Sequence, residues 1–230
     1  HDADVAPTRA ELESLVRGVD AIVCLLSDRI DAALLEQAGP QLKIVANYAV
    51  GLDNVDLEAC RRRGVAVAHT PGVLTNATAD LAWALLLAVS RRIVEGDALV
   101  RSGRWRGWAP LQLLGTSLAG RTFGVVGLGR IGAAAAQRAR GFDMQVVYTG
   151  RSRRHAEEQA LGARYASLDE LLAESDVVSL HCPSTPETRH LIDATALARM
   201  RNGAILVNTA RGDVIDEDAL VHALRDGSIA

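Results

Sequence analysis

The sequence predicts an α/β protein: a doubly wound parallel sheet, preceded by a smaller α/β unit. Two observations carry that prediction. Short apolar runs of strand length alternate with amphipathic stretches of helical length along the whole chain, as in parallel layers whose helices cover a buried sheet. Midway, Phe123 to Ala136 reads FGVVGLGRIGAAAA, a buried strand running through Gly127-x-Gly129-x-x-Gly132 into a helix of small residues.

The elements follow in order. Thr8 is placed to cap a helix through Arg17, with Glu11 at capping-box spacing. DAIVCLL (20–26) is a strand, Ile30 to Ala38 a helix, LKIVAN (42–47) a strand, Asp56 to Arg63 a helix and GVAVAH (64–69) a third strand. A single long helix is predicted from Thr75 to Arg101, and its first half is apolar nearly all round, which predicts burial between domains or subunits. A loop rich in Gly and Trp, SGRWRGWAPLQLLGTSLAG, leads to the second unit. Its strands are predicted at Thr122 to Gly127, Gln145 to Thr149, about Ala163 to Ala166, Asp176 to Cys182 and Ala204 to Asn208, with helices between. Asp216 to Arg225 is the last helix, and Ser228 to Ala230 opens a further strand. These elements divide into domains 1–75 and 76–230. Because the chain begins with His1 and stops as a strand begins, it reads as a piece cut at both ends, with both domains incomplete.

Composition narrows the function. With 49% apolar residues and a net charge of −3, the chain should pack a core rather than remain disordered. Mild acidity excludes a general nucleic-acid binder, and two Phe, three Tyr and three Trp leave little for base stacking. No apolar run is long enough to span a bilayer and no leader opens the chain, so a cytoplasmic protein without membrane partners is expected. Cys24, Cys60 and Cys182 are odd in number, widely spaced and set in apolar stretches, which reads as buried thiols of a reducing compartment. No metal site is assigned.

The glycine loop points to a dinucleotide. Gly127 permits a tight turn, Gly129 lets a pyrophosphate approach the backbone, and Gly132 lets helix and strand pack closely. The helix N-terminus offers N–H groups to phosphates. Leu128, Arg130 and Ile131, between these glycines, complete the candidate cofactor loop. The alternative is a structural turn in an unrelated α/β protein. It is disfavoured by the strand before the loop, the helix after it and a second strand at the proper distance.

That second strand ends unusually. NAD-binding chains place Asp or Glu about 20 residues beyond the glycines, to grip the ribose 2′-hydroxyl. Here 146–154 reads VVYTGRSRR, with three arginines and no carboxylate. At Gly150-Arg151-Ser152, a guanidinium supplies charge and paired donors and a hydroxyl adds a third, a set suited to a 2′-phosphate. NADP(H) is therefore expected, with NAD the alternative. Arg153 and Arg154 read as solvated residues at the next helix start.

Three further stretches, NYAVGLDNVD (47–56), HTPGVLTNATADLAWALLL (69–87) and NTARGDVIDEDAL (208–220), together with GLGRIG, resemble the D-isomer-specific 2-hydroxyacid dehydrogenases over essentially the whole chain. WAPLQLLGT (108–116) and YTGRS (148–152) look most like the glyoxylate and hydroxypyruvate reductases of that family. The resemblance implies a Rossmann domain inserted into a flavodoxin-like substrate domain, here partial, with the long helix helping to build a homodimer. It implies a small 2-oxo or 2-hydroxy acid as substrate. Its carboxylate would meet the backbone of Val50 and Gly51, which on Gly51 alone would be a plain turn. Thr78 would contact the cofactor, Thr209 and Ala210 would line the nicotinamide side, and Cys182 and Pro183 the adenine side.

Arg211 receives the catalytic and substrate-binding role from the resemblance. Its position agrees, just past the strand AILVNTA at the carboxyl edge of the sheet, where ligands bind. One guanidinium there can engage the carboxylate and polarise the ketone of a 2-oxo acid. The family also needs a His tuned by a Glu as proton donor, and both are expected beyond Ala230, so the chain alone is expected to be inactive. His69, His155, His181, His190 and His222 lack the context for that role, and His155, His190 and His222 show no partnered acid. Two other readings remain: a dinucleotide-sensing, corepressor-like module, and a dehydrogenase of the same family for phosphite, formate or 2-ketogluconate.

Overall fold

The structure, a computed structural model, describes residues 6–230; the reading of His1 as a cut end lies outside them. The chain divides into two compact units, His1–Val73 and Leu74–Ala230.

The first unit runs α1 (Arg9–Leu15), β1 (Ala21–Cys24), α2 (Ala32–Ala38), β2 (Ile44–Asn47), α3 (Leu57–Arg62) and β3 (Ala66–Ala68). Its three strands are parallel in the order β1-β2-β3, with Ile22 beside Val45 and Val45 beside Val67. Thr8 and Glu11 form the expected capping box. Asp31 and Asp56 cap α2 and α3 through Leu34 N and Ala59 N. The Asp31 cap moves the helix start from the expected Ile30 to Ala32, because an N-cap residue holds extended backbone. Ile30 instead bridges Val55 and, with Leu34, Leu35 and Val45, is fully buried in this unit's core.

The second unit runs α4 (Thr75–Ser90), α5 (Ile93–Arg101), β4 (Thr122–Val126), α6 (Arg130–Ala139), β5 (Gln145–Thr149), α7 (His155–Leu161), β6 (Arg164–Tyr165), α8 (Leu168–Glu174), β7 (Val177–Leu180), α9 (Ala194–Arg199), β8 (Ile205–Asn208) and α10 (Glu217–Asp226). Five parallel strands lie in the order β6-β5-β4-β7-β8, so the winding reverses at β4. This is the doubly wound Rossmann-type sheet, whose switch point lies outside the carboxyl ends of β4, β5 and β7. Ile229 adds a parallel bridge to Ala204, where a further strand was expected.

One expected element is corrected. The single helix from Thr75 to Arg101 is two helices, α4 and α5, broken where Arg92 turns left-handed at φ 53°. No Gly or Pro marks the break. In a continuous helix Ser90 O would accept from four residues on; here it accepts Thr116 N at 2.7 Å, as the following loop docks on the helix end. Gly115 is required for that approach, since a Cβ there would lie 2.3 Å from the same carbonyl. Within the single chain α4 is buried along part of its surface. Ala79, Ala82, Trp83 and Leu86 are buried, whereas Leu81, Leu85 and Val89 are exposed.

Candidate active site

A cleft of about 420 Å³ opens at the switch point, walled by residues 127–129 after β4, 149–152 at the end of β5 and 181–183 after β7. Three glycines shape it, each for a different reason. Gly127 turns at φ 97°, and a Cβ would lie 2.8 Å from Cys182 N. Gly132 supports the loop from behind, where a Cβ would lie 2.1 Å from Gly127 O, so only glycine lets α6 sit this close to β4. Gly129 has ordinary backbone angles and open space within 4 Å of its would-be Cβ. Neither strain nor protein packing demands glycine there, which leaves the approach of a ligand as the physical reason. A dinucleotide pyrophosphate fits this cradle, at the N-terminus of a ten-residue helix without a side-chain cap.

The loop after β5 brings Arg151, Ser152 and Arg154 to the cleft. Among the described residues, neither Arg151 nor Arg154 has a carboxylate within ion-pair distance. Arg153 differs: it pairs with Glu158 through Nε at 3.0 Å and Nη2 at 2.9 Å. That corrects its reading as a solvated charge, and Arg154 is likewise a cleft residue that sequence reasoning passed over. Glu187 lines the opposite wall, its carboxyl held below the ordinary range by the Thr185 hydroxyl and, less strongly, by Arg151.

His181 continues the β4–β7 ladder, donating its N–H to Val126 O at 2.8 Å. Its Nε2 lies 2.9 Å from Ser179 Oγ, and burial lowers its pKa to about 4, so the ring is neutral near pH 7. His181, Thr185 and Thr188 also line the cleft and were missed. A search of every loop following a strand of this sheet would have found them. Leu168 and Leu191 are brought there by folding alone.

Not every expected residue meets in this cleft. Gly127, Leu128, Gly129, Gly150, Arg151, Ser152, Cys182 and Pro183 do; Arg130, Ile131, Gly132, Thr78, Thr209, Ala210 and Arg211 are not part of its wall. Thr78 sits on the first turn of α4. Arg211 follows β8 on a braced loop: Asn208 donates Nδ2 to Arg211 O at 2.8 Å and accepts Ala210 N at 2.9 Å. Arg211 Nη1 donates to Ala210 O at 2.9 Å. Thr209 Oγ1 is buried with no hydrogen-bond partner among the described residues.

In the first unit the carbonyls of Val50 and Gly51 are both engaged by side chains. His69 Nδ1 donates to Val50 O at 2.9 Å and Asn47 Nδ2 to Gly51 O at 2.8 Å. Asn47 is buried, linked to Asn54 and to the Cys24 thiol, which burial pushes up to about 11. Two histidines expected to lack acids have them nearby: His155 Nδ1 is 3.6 Å from Glu158 and His190 Nδ1 is 3.8 Å from Asp216.

Known proteins agree with this geometry. Residues 83–230 match the family profile described as D-isomer specific 2-hydroxyacid dehydrogenase, NAD binding domain. The chain belongs to the D-isomer specific 2-hydroxyacid dehydrogenases. This dehydrogenase is 55% identical to the glyoxylate reductase of Thermococcus litoralis, over 98% of this chain and 69% of that one. A solved protein of Thermus thermophilus superposes with a TM-score of 0.91 at 52% identity, over 98% of this chain and 70% of its own. The D-lactate dehydrogenase of Aquifex aeolicus, solved with NAD and lactic acid, gives 0.87 at 34% identity, over 94% and 64%. The dehydrogenase is thus an oxidoreductase that uses a nicotinamide dinucleotide and interconverts 2-oxo and 2-hydroxy acids. No helix among its described residues is long and apolar enough to cross a membrane.

Proposed function

We propose that this dehydrogenase reduces a small 2-oxo acid, glyoxylate or hydroxypyruvate, to the D-2-hydroxy acid, with NADPH preferred over NADH. The observation that carries the cofactor choice is the cationic rim after β5, Arg151, Ser152 and Arg154, where no carboxylate follows the strand to meet a ribose hydroxyl. The substrate choice is supported by the glyoxylate reductase named above.

A nicotinamide dinucleotide, when bound, would supply the hydride that reduces the ketone. The chain's residues do the rest by position and charge. In the cofactor domain, 76–230, the Gly127–Gly132 loop with Leu128, Arg130 and Ile131 receives the pyrophosphate. Gly150, Arg151 and Ser152 take the phosphorylated ribose, Cys182 and Pro183 the adenine side, and Thr78, Thr209 and Ala210 the nicotinamide side. In the substrate domain, 1–75, Val50 and Gly51 present backbone N–H groups to the carboxylate, their carbonyls being held by His69 and Asn47. Arg211 binds the carboxylate and offsets the charge that grows on the carbonyl oxygen, the kind of preorganised stabilisation that lowers such barriers most. The alkoxide then takes a proton from a general acid. His181, neutral and bonded to Ser179, is not assigned to that role.

The protein acts as a homodimer in this reading. Leu81, Leu85 and Val89 on α4, with Ile93, Val94 and Val100 on α5, are exposed apolar side chains on two consecutive helices, which supports an interaction surface there. Three buried unpaired thiols suit a reducing cytoplasm.

The test compares kcat/KM for glyoxylate and hydroxypyruvate with both nucleotides in the full-length protein, before and after Arg151→Ala. The expected result is an NADPH preference that Arg151→Ala reduces at least about tenfold. An NADH preference indifferent to that substitution would refute the cofactor reading.

A further inference from the structure

We propose that Tyr148, Tyr165 and Glu158 are positioning residues for nucleotide choice: they clamp residues 150–154 so that Arg151, Ser152 and Arg154 together form the seat for a 2′-phosphate. The proposal rests on the NADPH reading above and deepens it.

A loop of five residues with three arginines needs a reason to hold one shape, because like charges repel and long side chains lose rotamer entropy when ordered. The structure supplies three clamps. Tyr165 donates its hydroxyl to Gly150 O at 3.3 Å, tying down the loop's beginning. Tyr148 accepts Arg154 N at 2.7 Å, tying down its end at the α7 start, where no side chain caps the helix. Between them Arg153 is held by both oxygens of Glu158 and lies 5.7 Å over the Tyr165 ring.

The consequence is a division of labour among the charges. Of the three arginines only Arg153 pairs with Glu158 among the described residues, and it is absent from the cleft wall that Arg151, Ser152 and Arg154 line. Tyr148 makes the link. It is fully buried in the sheet, its ring packs edge-on against Tyr165 at 5.4 Å, and its hydroxyl donates to Glu158 Oε1 at 2.6 Å. Phenylalanine would fill that core position equally well. What the hydroxyl adds is the two bonds it makes, to the loop and to the acid that sorts the arginines.

The experiment is calorimetric titration of the purified protein with adenosine 2′,5′-bisphosphate and with 5′-AMP, probes that differ by the 2′-phosphate. Tyr148→Phe should weaken the bisphosphate roughly three- to tenfold and leave AMP unchanged, since charge-assisted bonds depend on placement. Tyr165→Phe, at a half-buried site, should do the same to a smaller degree and decides the matter if Tyr148→Phe does not fold. Equal weakening of both probes, or no change in either folded variant, overturns the proposal. Arg151→Ala separates it from its premise. If that substitution abolishes the difference between probes while the tyrosine variants retain it, the charge reading stands and the clamp falls. If it changes nothing, both fall.

Discussion

Trp83 donates its indole N–H to the carbonyl of Ala135 at 2.8 Å, while its ring stacks on Phe142 at 4.6 Å and Phe123 at 5.2 Å. This one side chain fastens α4 to α6 and to the first strand of the cofactor sheet. Trp83→Ala should destabilise the protein by about 3–5 kcal/mol, the cost of emptying a buried aromatic site. Trp83→Phe keeps most of the packing and loses the hydrogen bond, so about 1 kcal/mol is expected. Urea unfolding at constant m-value measures both; two variants as stable as the parent would remove the fastening role.

The glycines Gly129 and Gly132 should separate binding from folding. A methyl at Gly129 enters open space, and the N-cap preference that glycine holds over alanine is offset by about 0.4–1 kcal/mol of lost unfolded-chain entropy, so Gly129→Ala should leave stability within about 1 kcal/mol while weakening dinucleotide binding about tenfold or more. Gly132→Ala forces α6 away from Gly127 O and should cost about 1–3 kcal/mol as well as affinity. Thermal melts and nucleotide titration on both variants check the contrast. Equal stability losses would mean that Gly129 serves the fold rather than the ligand.

How much of this was legible follows from the range of the forces involved. Thr8 with Glu11, and the strand–glycine–helix passage from Phe123 to Ala136, are local chemistry, and the structure repeats them. The break at Arg92 was not legible. It depends on Thr116, remote in sequence, capturing Ser90 O, and nothing between Ser90 and Ile93 signals it. The same holds for Arg153, whose partner Glu158 was visible only as one of two acids on the next helix turn. Arg154 was placed in the cleft by the fold of its loop, not by any motif.

His181 makes stability depend on acid. Burial lowers its pKa to about 4, below the ordinary value near 6.5. Between those values the unfolded chain binds the proton and the folded chain does not. Stability is therefore whole above about pH 6.5, falls as pH drops towards 4 and loses no more below. The loss from this group is on the order of 3 kcal/mol at most. His181→Gln should lack that component, which urea unfolding at pH 7, 5 and 4 would reveal as a shallower pH dependence than the parent's.

Glu158 acts in a lower window. Arg153 first and the Tyr148 hydroxyl second hold its carboxyl down to about 2. A depressed carboxyl contributes stability above its unfolded value, near 4.3, and that contribution disappears as pH falls towards 2. Glu158→Gln should melt below the parent at pH 7, and the gap should narrow at pH 3. A gap that is constant across this range would show that the ion pair with Arg153 does not stabilise the fold.

Arg211 is held by its own backbone neighbourhood, with Asn208 bracing the carbonyl of residue 211 and the N–H of Ala210. Such bracing fixes where the side chain starts, which under the proposed role reduces what must be ordered when a substrate binds. A lysine keeps the charge and loses the planar fork, and this distinguishes a residue that binds two oxygens at once from one that only attracts an anion. Arg211→Lys should lower kcat/KM for the 2-oxo acid by about 10² or more, the scale of removing a donor from a developing oxyanion. Affinity for adenosine 2′,5′-bisphosphate should stay within about twofold, because Arg211 is not part of that cleft wall. The opposite pattern, an unchanged turnover with weakened nucleotide binding, would move Arg211 from the substrate to the cofactor.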